Sequence, residues 1–178
     1  HAFALARLPK VIFTCFGDML RVPAGGKSLW QMQNSGGDIR IVLSPMDALQ
    51  LAMDNPDREV IFFAVGFETT APLTAATVLA AQRHNIDNFS IICAHKTMPE
   101  AIGQLLPNSS VDALICPGHV AVITGAQAFS FVANDLKRPA AITGFEPSEI
   151  LLAIAYLVRD IDMSLIGLHN CYPQAVSD

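Results

Sequence analysis

VIFFAVGFETTAPLTAATVLAAQ (60–82) decides the fold. Its first seven residues (60–66) are an apolar run of β-branched and aromatic side chains with no polar alternation, the pattern of a strand buried on both faces. A Gly-Phe-Glu turn follows. Thr69 or Thr70 then stands where a helix cap belongs, ahead of an Ala- and Leu-rich helix over 71–82. A strand whose exit leads straight into a helix forces the next strand to lie parallel. Working outward, three more apolar runs end in small polar loops: VIFTCFGDM (11–19), VDALICPGHV (111–120) and AAITGFEP (140–147). In a parallel sheet, the loops leaving the carboxyl ends of the strands gather along one edge, where open α/β folds bind ligands. Asp18, Glu68, His119 and Glu146 are therefore predicted to face a shared site.

The segments between these runs keep the alternation. Residues 39–44 read as a short strand, and SPMD (44–47) opens a helix with Ser44 as cap, Pro45 in the first turn and Asp47 at the capping-box position. A strand over 89–95 precedes TMPE (97–100), a second capping box, and the helix AIGQLL. Strands over 113–116 and 140–143, a helix in the 120s and 130s, and an amphipathic helix over SEILLAIAYLVRDI (148–161) complete at least six strands. Val-Ile-Phe opens two of the strands, and Gly-Phe-Glu closes two. Buried strands converge on Val, Ile and Phe by composition. The recurring Gly-Phe-Glu is harder to assign to packing and predicts related units, because Gly66 and Gly144 permit positive φ or close backbone approach.

Composition bounds the function. The 178 residues are 52% hydrophobic and 15% charged, enough for a sizeable core in one domain or two small lobes. The net charge of −5, without any Lys/Arg cluster, excludes a nucleic-acid face. No stretch is long and apolar enough to span a membrane and no secretory signal opens the chain, so a soluble, cytoplasmic protein is expected. The chain starts at His1 within a helix-like segment and stops at Asp178 without a terminating element, which predicts a fragment of a longer polypeptide.

Four cysteines, Cys15, Cys93, Cys116 and Cys171, are too few and too dispersed for a disulfide scaffold. The first three sit in strand-like runs and read as buried free thiols. Cys93 with His95, and Cys116 with His119, are the weak metal-ligand candidates that spacing offers. GGKS (25–28) resembles the tail of a phosphate loop, but Arg21 occupies the position of its first glycine. No GxGxxG, GxSxG or HExxH motif is present. His84 reads as solvated, whereas His95 and His119 end strands and are better candidates for proton transfer or hydrogen bonding. Arg21 is either a surface ion-pair partner or the group that keeps Asp18 ionised, with the second reading favoured.

Six motifs in order, CFGDMLRVP (15–23), GGDIRIVLSPMDAL (36–49), VGFETTAP (65–72), CAHKTMP (93–99), CPGHVAVITG (116–125) and TGFEPSEIL (143–151), make the chain resemble the HypD family of nickel-iron hydrogenase maturation proteins over nearly its whole length. The resemblance implies an α/β fold of two similar Rossmann-like lobes, with mainly parallel sheets flanked by helices, facing a cleft. It implies residues 1–85 as part of a first lobe, 86–163 as a second, and 164–178 as the start of a linker. Its cleft-lining residues would be Gly17, Asp18, Arg21 and Pro23; Gly66, Glu68, Thr69 and Thr70; His95; Pro117, Gly118 and His119; Gly144 and Glu146. The family role it implies is a scaffold on which the iron–dicyanide–carbonyl unit is built, with a HypC-like small chaperone and a HypE-like cyanide donor as partners, and a 4Fe-4S cluster elsewhere in the protein. The CGxH and CPxC motifs and the cluster cysteines implied by the resemblance are not in residues 1–178, so this stretch alone is expected to be inactive. Ala24, Glu100 and Gln174 depart from the family pattern, and Gln174 lacks the charge of the expected arginine. Two other readings of the same residues are a small-molecule isomerase or transferase, using Glu68 or Glu146 as base and His119 as acid, and a non-catalytic docking module.

Overall fold

The computed structural model describes residues 1–176. The chain divides into two compact units, His1–His95 and Lys96–Asp178.

The first unit is built on four parallel strands, β1 (Val11–Cys15), β2 (Ile39–Ile41), β3 (Glu59–Ala64) and β4 (Phe89–Cys93), in the order β2-β1-β3-β4. All five residues of β1 are buried, as a strand covered on both faces requires. Alternate side chains feed opposite layers. Phe13 and Cys15 pack with Ala6, which follows the short helix α1 (Ala2–Leu5), and with Leu29 and Met32 of α2 (Leu29–Asn34), while Ile12 joins Ala52 of α3 (Pro45–Asp54) and Val60. The buried Thr14 hydroxyl donates to the Ile61 carbonyl at 3.1 Å, which satisfies the one polar side chain of β1. The helix α4 (Ala71–Arg83) connects β3 to β4.

Polar side chains staple the amino edge of this sheet. Asp38 accepts from Arg40 at 2.8 and 2.9 Å and from Arg58 at 2.6 Å, and Arg58 also donates to the Val11 carbonyl at 3.1 Å. The Arg40 guanidinium, with burial opposing it and Arg58 adding to it, holds the Asp38 carboxyl below its ordinary value. The Asn88 amide nitrogen lies 2.8 to 3.0 Å from the carbonyls of Ala52, Asn55 and Arg58.

The second unit holds three parallel strands, β5 (Leu114–Pro117), β6 (Ala140–Thr143) and β7 (Leu168–Asn170), in the order β5-β6-β7. Helices α5 (Met98–Leu105), α6 (Gly118–Thr124) and α7 (Ser130–Asn134) supply Ile102, Val120 and Val132 to a core with Cys116, Phe129 and Ile142. On the other face α8 (Pro147–Asp162) packs Ala153 and Leu157 against Ala141 and Cys171.

Two boundaries differ from the sequence reading. The strand at 89–93, expected in the second lobe, pairs with β3 and completes the first sheet, so the division falls after His95 and not after residue 85. Residues 168–170, expected in a linker, form β7 and pair with β6. Three residues are too few for a recognisable strand pattern, and only tertiary pairing defines them. Among the described residues, no helix is long and apolar enough to cross a membrane.

Candidate functional site

In the first unit, the order β2-β1-β3-β4 places the topological switch between β1 and β3, the place where open parallel sheets form a crevice. The loops that leave those two strands are the 3-10 turn Gly17–Arg21 and residues 65–70. Both carry sequence candidates. Asp18 is exposed, and among the described residues its carboxylate accepts only from the neighbouring Met19 amide, at 2.9 Å. It also bears on Cys15: burial first, and the nearby Asp18 charge second, push that thiol up to about 11. Arg21 and Pro23 are exposed, and among the described residues no ion pair joins Arg21 to Asp18, contrary to the favoured sequence reading. At an exposed 3-10 turn, water solvates both charges, so pairing offers little.

Gly66 has φ of 150°, and a Cβ there would collide with Thr70, so this position requires glycine. The expected threonine cap is not formed. The Thr70 hydroxyl donates to the Phe67 carbonyl at 2.9 Å and closes the loop on itself, leaving the first turn of α4 without a side-chain cap. First-turn amides have no intrahelical acceptor, and they point out of the same loop that carries Glu68, Thr69 and Thr70. At the end of β4, exposed Cys93 places its Sγ 3.4 Å from His95 Nδ1. Cys93 was expected to be buried. It ends an edge strand, where one flank lacks a neighbour.

In the second unit, Gly118 and Gly144 end β5 and β6, and the Tyr172 ring covers both: a Cβ on Gly118 would meet it at 2.5 Å and one on Gly144 at 2.6 Å. The same Gly-Phe-Glu sequence thus needs its glycine for different reasons, backbone conformation at Gly66 and close packing at Gly144. His119 is exposed and stacks on Phe145 with centroids 5.1 Å apart. Pro117 is half-buried, and Glu146 is exposed and caps α8 without a side-chain bond to its amides. Cys116, the partner that spacing offered to His119, is fully buried among Val120, Phe129 and Ile142. Burial pushes its thiol up to about 12, and it is a core residue, not a ligand.

The structure therefore sets Asp18, Glu68, Thr69, Thr70 and the Cys93–His95 pair along one carboxyl edge, and His119 and Glu146 along the other. Among the described residues, no group of three or more His, Cys, Asp or Glu side chains could hold a metal ion. Cys171, which the sequence left without a role, is buried, and burial together with the Glu149 charge raises its thiol. A cavity of about 460 Å³ lined by Arg7, Lys27 and Gln31 lies beside α2, and none of the loop candidates lines it.

Sequence reasoning missed one polar cluster. Asp160 on α8 is 1% exposed and accepts from His169 Nε2 at 2.6 Å and Arg159 Nη2 at 2.6 Å, while His169 stacks on Tyr156 at 4.5 Å. The signal was an acid in register with the buried stripe of Ala153 and Leu157.

Comparison with known proteins agrees with the order of the loop motifs. The family profile described as HypD, Hydrogenase formation hypA family, matches residues 1–178. The Hydrogenase maturation factor HypD of Rhodobacter capsulatus is 43% identical over 176 residues, covering 98% of this chain and 47% of its own length. That of Escherichia coli (strain K12) is also 43% identical over 176 residues, with the same coverage, and that of Azotobacter vinelandii is 41% identical over 184 residues, 99% of this chain and 48% of its own length. The chain spans about half the length of these curated relatives. On the match over all of its residues, the chain belongs to the HypD family.

Proposed function

We propose that this chain contributes the cleft loops of a hydrogenase maturation factor that serves as a cytoplasmic scaffold for the iron–dicyanide–carbonyl unit of nickel-iron hydrogenase. A HypC-like chaperone and a HypE-like cyanide donor are its proposed partners. The observation that carries the reading is the division of labour between the two edges of the first sheet. At the amino edge Asp38, Arg40, Arg58 and Asn88 are engaged in stapling strands, whereas the carboxyl edge presents Asp18 and Arg21 unpaired with each other, beside an uncapped helix start. Polar groups not used to hold the fold together are available for a cargo.

A small anionic iron complex needs donors and a water-restricted surface. The α4 start, the Thr69 hydroxyl and Arg21 are donors of that kind. His95, 3.4 Å from the Cys93 sulfur, can hold or move a proton at a ring nitrogen when that thiol changes state, and exposed His119 is a further hydrogen-bonding group toward the cargo. The four cysteines here do not fit a 4Fe-4S cluster: Cys15, Cys116 and Cys171 are buried, Cys93 is exposed, and no metal-holding group forms among the described residues. No step is assigned to such a cluster, and none to direct iron ligation by these side chains.

The test uses the full-length protein in a strain lacking its own factor. Asp18→Ala, Glu68→Ala and His119→Ala are expected to lower hydrogenase activity by about 10- to 100-fold, the range that misplacement of a positioned group produces. Wild-type protein purified anaerobically with the small chaperone is expected to carry iron with infrared bands of bound cyanide and carbonyl. Full activity in all three variants would remove the loops from the function.

A further inference from the structure

The apolar face of helix α8 is wider than the surface its own sheet covers. Its inner stripe, Ala153, Leu157 and Asp160, is buried against the sheet. Its outer stripe runs Leu151, Ile154, Val158, Ile161, at helical spacing, and these side chains are 66%, 42%, 53% and 46% exposed. Residues 150–158 contain no charged side chain, so the apolar surface is unbroken for more than two turns. It continues past the helix end into Met163 and Leu165, 63% and 45% exposed. α8 is amphipathic, as the sequence reading expected, but its apolar face is wider than the part its own sheet buries. A patch of this kind marks a surface that something else covers.

We propose that this face is an intramolecular docking surface, covered in a full-length HypD-family protein by polypeptide from outside the matched half. Among the described residues of its own unit no element remains to do so, because α5, α6 and α7 line one face of the sheet and α8 itself closes the other. The relatives carry the material: the aligned 176 residues are only 47% of each. A segment on the same chain is present at high effective concentration, which a separate partner must match by affinity. A second copy is a weaker occupant. One helix stripe about 24 Å long and about 10 Å wide presents roughly 240 Å², well short of the roughly 800 Å² that each partner buries in a stable interface. This inference rests on family membership and α8 alone and does not depend on the maturation reading.

The experiment places a photoreactive benzophenone amino acid at Leu151 and at Val158 of the purified full-length protein and maps the products by mass spectrometry. The expected result is an intramolecular crosslink to peptides outside the stretch matching residues 1–178. A covalent dimer, a crosslink to a co-purifying protein, or no crosslink at either position overturns the proposal. In parallel, Leu151→Lys combined with Val158→Lys is expected to lower the melting temperature of the full-length protein by several degrees or to abolish its soluble yield. An unchanged melting temperature overturns it as well, and the crosslinks decide the matter if the variant does not fold.

Discussion

At the scale of single residues, the loops are set by backbone geometry that composition does not record. Gly66 at φ 150° lies where an L side chain is strained, and its missing Cβ makes room for the Thr70 hydroxyl that bonds Phe67. Gly66→Ala is therefore expected to cost about 1–3 kcal/mol, measurable as a lower denaturation midpoint. The sequence showed that a glycine was needed at this strand end. It did not show which way the Thr70 hydroxyl turns, because a threonine can cap a helix or close the preceding loop with nearly equal ease. The thiols divide by the same local logic. Burial holds Cys116 near 12 and Cys15 near 11, and raises Cys171, while Cys93 is exposed beside His95. The thiolate is the reactive form, so brief maleimide treatment at neutral pH is expected to label Cys93 first and leave the other three unmodified. Peptide mapping checks this, and early labelling of Cys116 would contradict its place in the core.

At the scale of elements, caps and ties show how far local pattern reaches. The Ser44–Asp47 capping box forms as its spacing predicts, with the Asp47 amide 3.2 Å from Ser44 Oγ. The equivalent pattern at Thr97 and Glu100 does not, since the threonine hydroxyl donates to the glutamate carboxylate at 3.2 Å and accepts no bond from the helix amides. A box the sequence reading passed over, Ser28 with Gln31, opens α2 behind the GGKS turn. Capping pairs sit close in sequence and can be read there. The tie between α8 and β7 is different, because Asp160 meets His169 only after the strand has docked. Burial alone would raise the Asp160 carboxyl, but the hydrogen bonds from His169 and Arg159 outweigh it and hold it below its ordinary 3.8. A carboxyl lowered in the folded state contributes stability above its unfolded value and loses it as pH falls through the folded value. Asp160→Asn is expected to cost about 3 kcal/mol near neutral pH, the low end for a broken buried pair because Arg159 is half-exposed. In denaturation curves taken from pH 7 downwards, the gap between variant and wild type should hold to about pH 4 and shrink below it. A gap that widens on acidification would mean the pair does not carry this charge.

At the scale of the molecule, the parallel α/β class and the βα alternation were legible because each buried strand is a continuous apolar run, and each loop that bears a motif lies at a carboxyl end. The division between units was less legible. β4 looks the same in sequence whether it completes the first sheet or starts the second, and only its register, with Phe62 opposite Ile91 and Ala64 opposite Cys93, settles its place. Each sheet then has its own core, centred on Phe13 and Phe62 in the first unit and on Phe129 in the second, all fully buried. Separate cores imply that damage stays local, because packing loss travels through contacting side chains and these clusters are built within single units. Phe62→Ala and Phe129→Ala should each cost about 3–5 kcal/mol, the usual range for emptying a phenylalanine site. In hydrogen exchange followed by mass spectrometry, Phe62→Ala is expected to speed exchange in β1 and β3 while β6 keeps its protection, and Phe129→Ala to do the reverse. Equal loss of protection in both sheets from either substitution would show that the two cores fold as one cooperative unit.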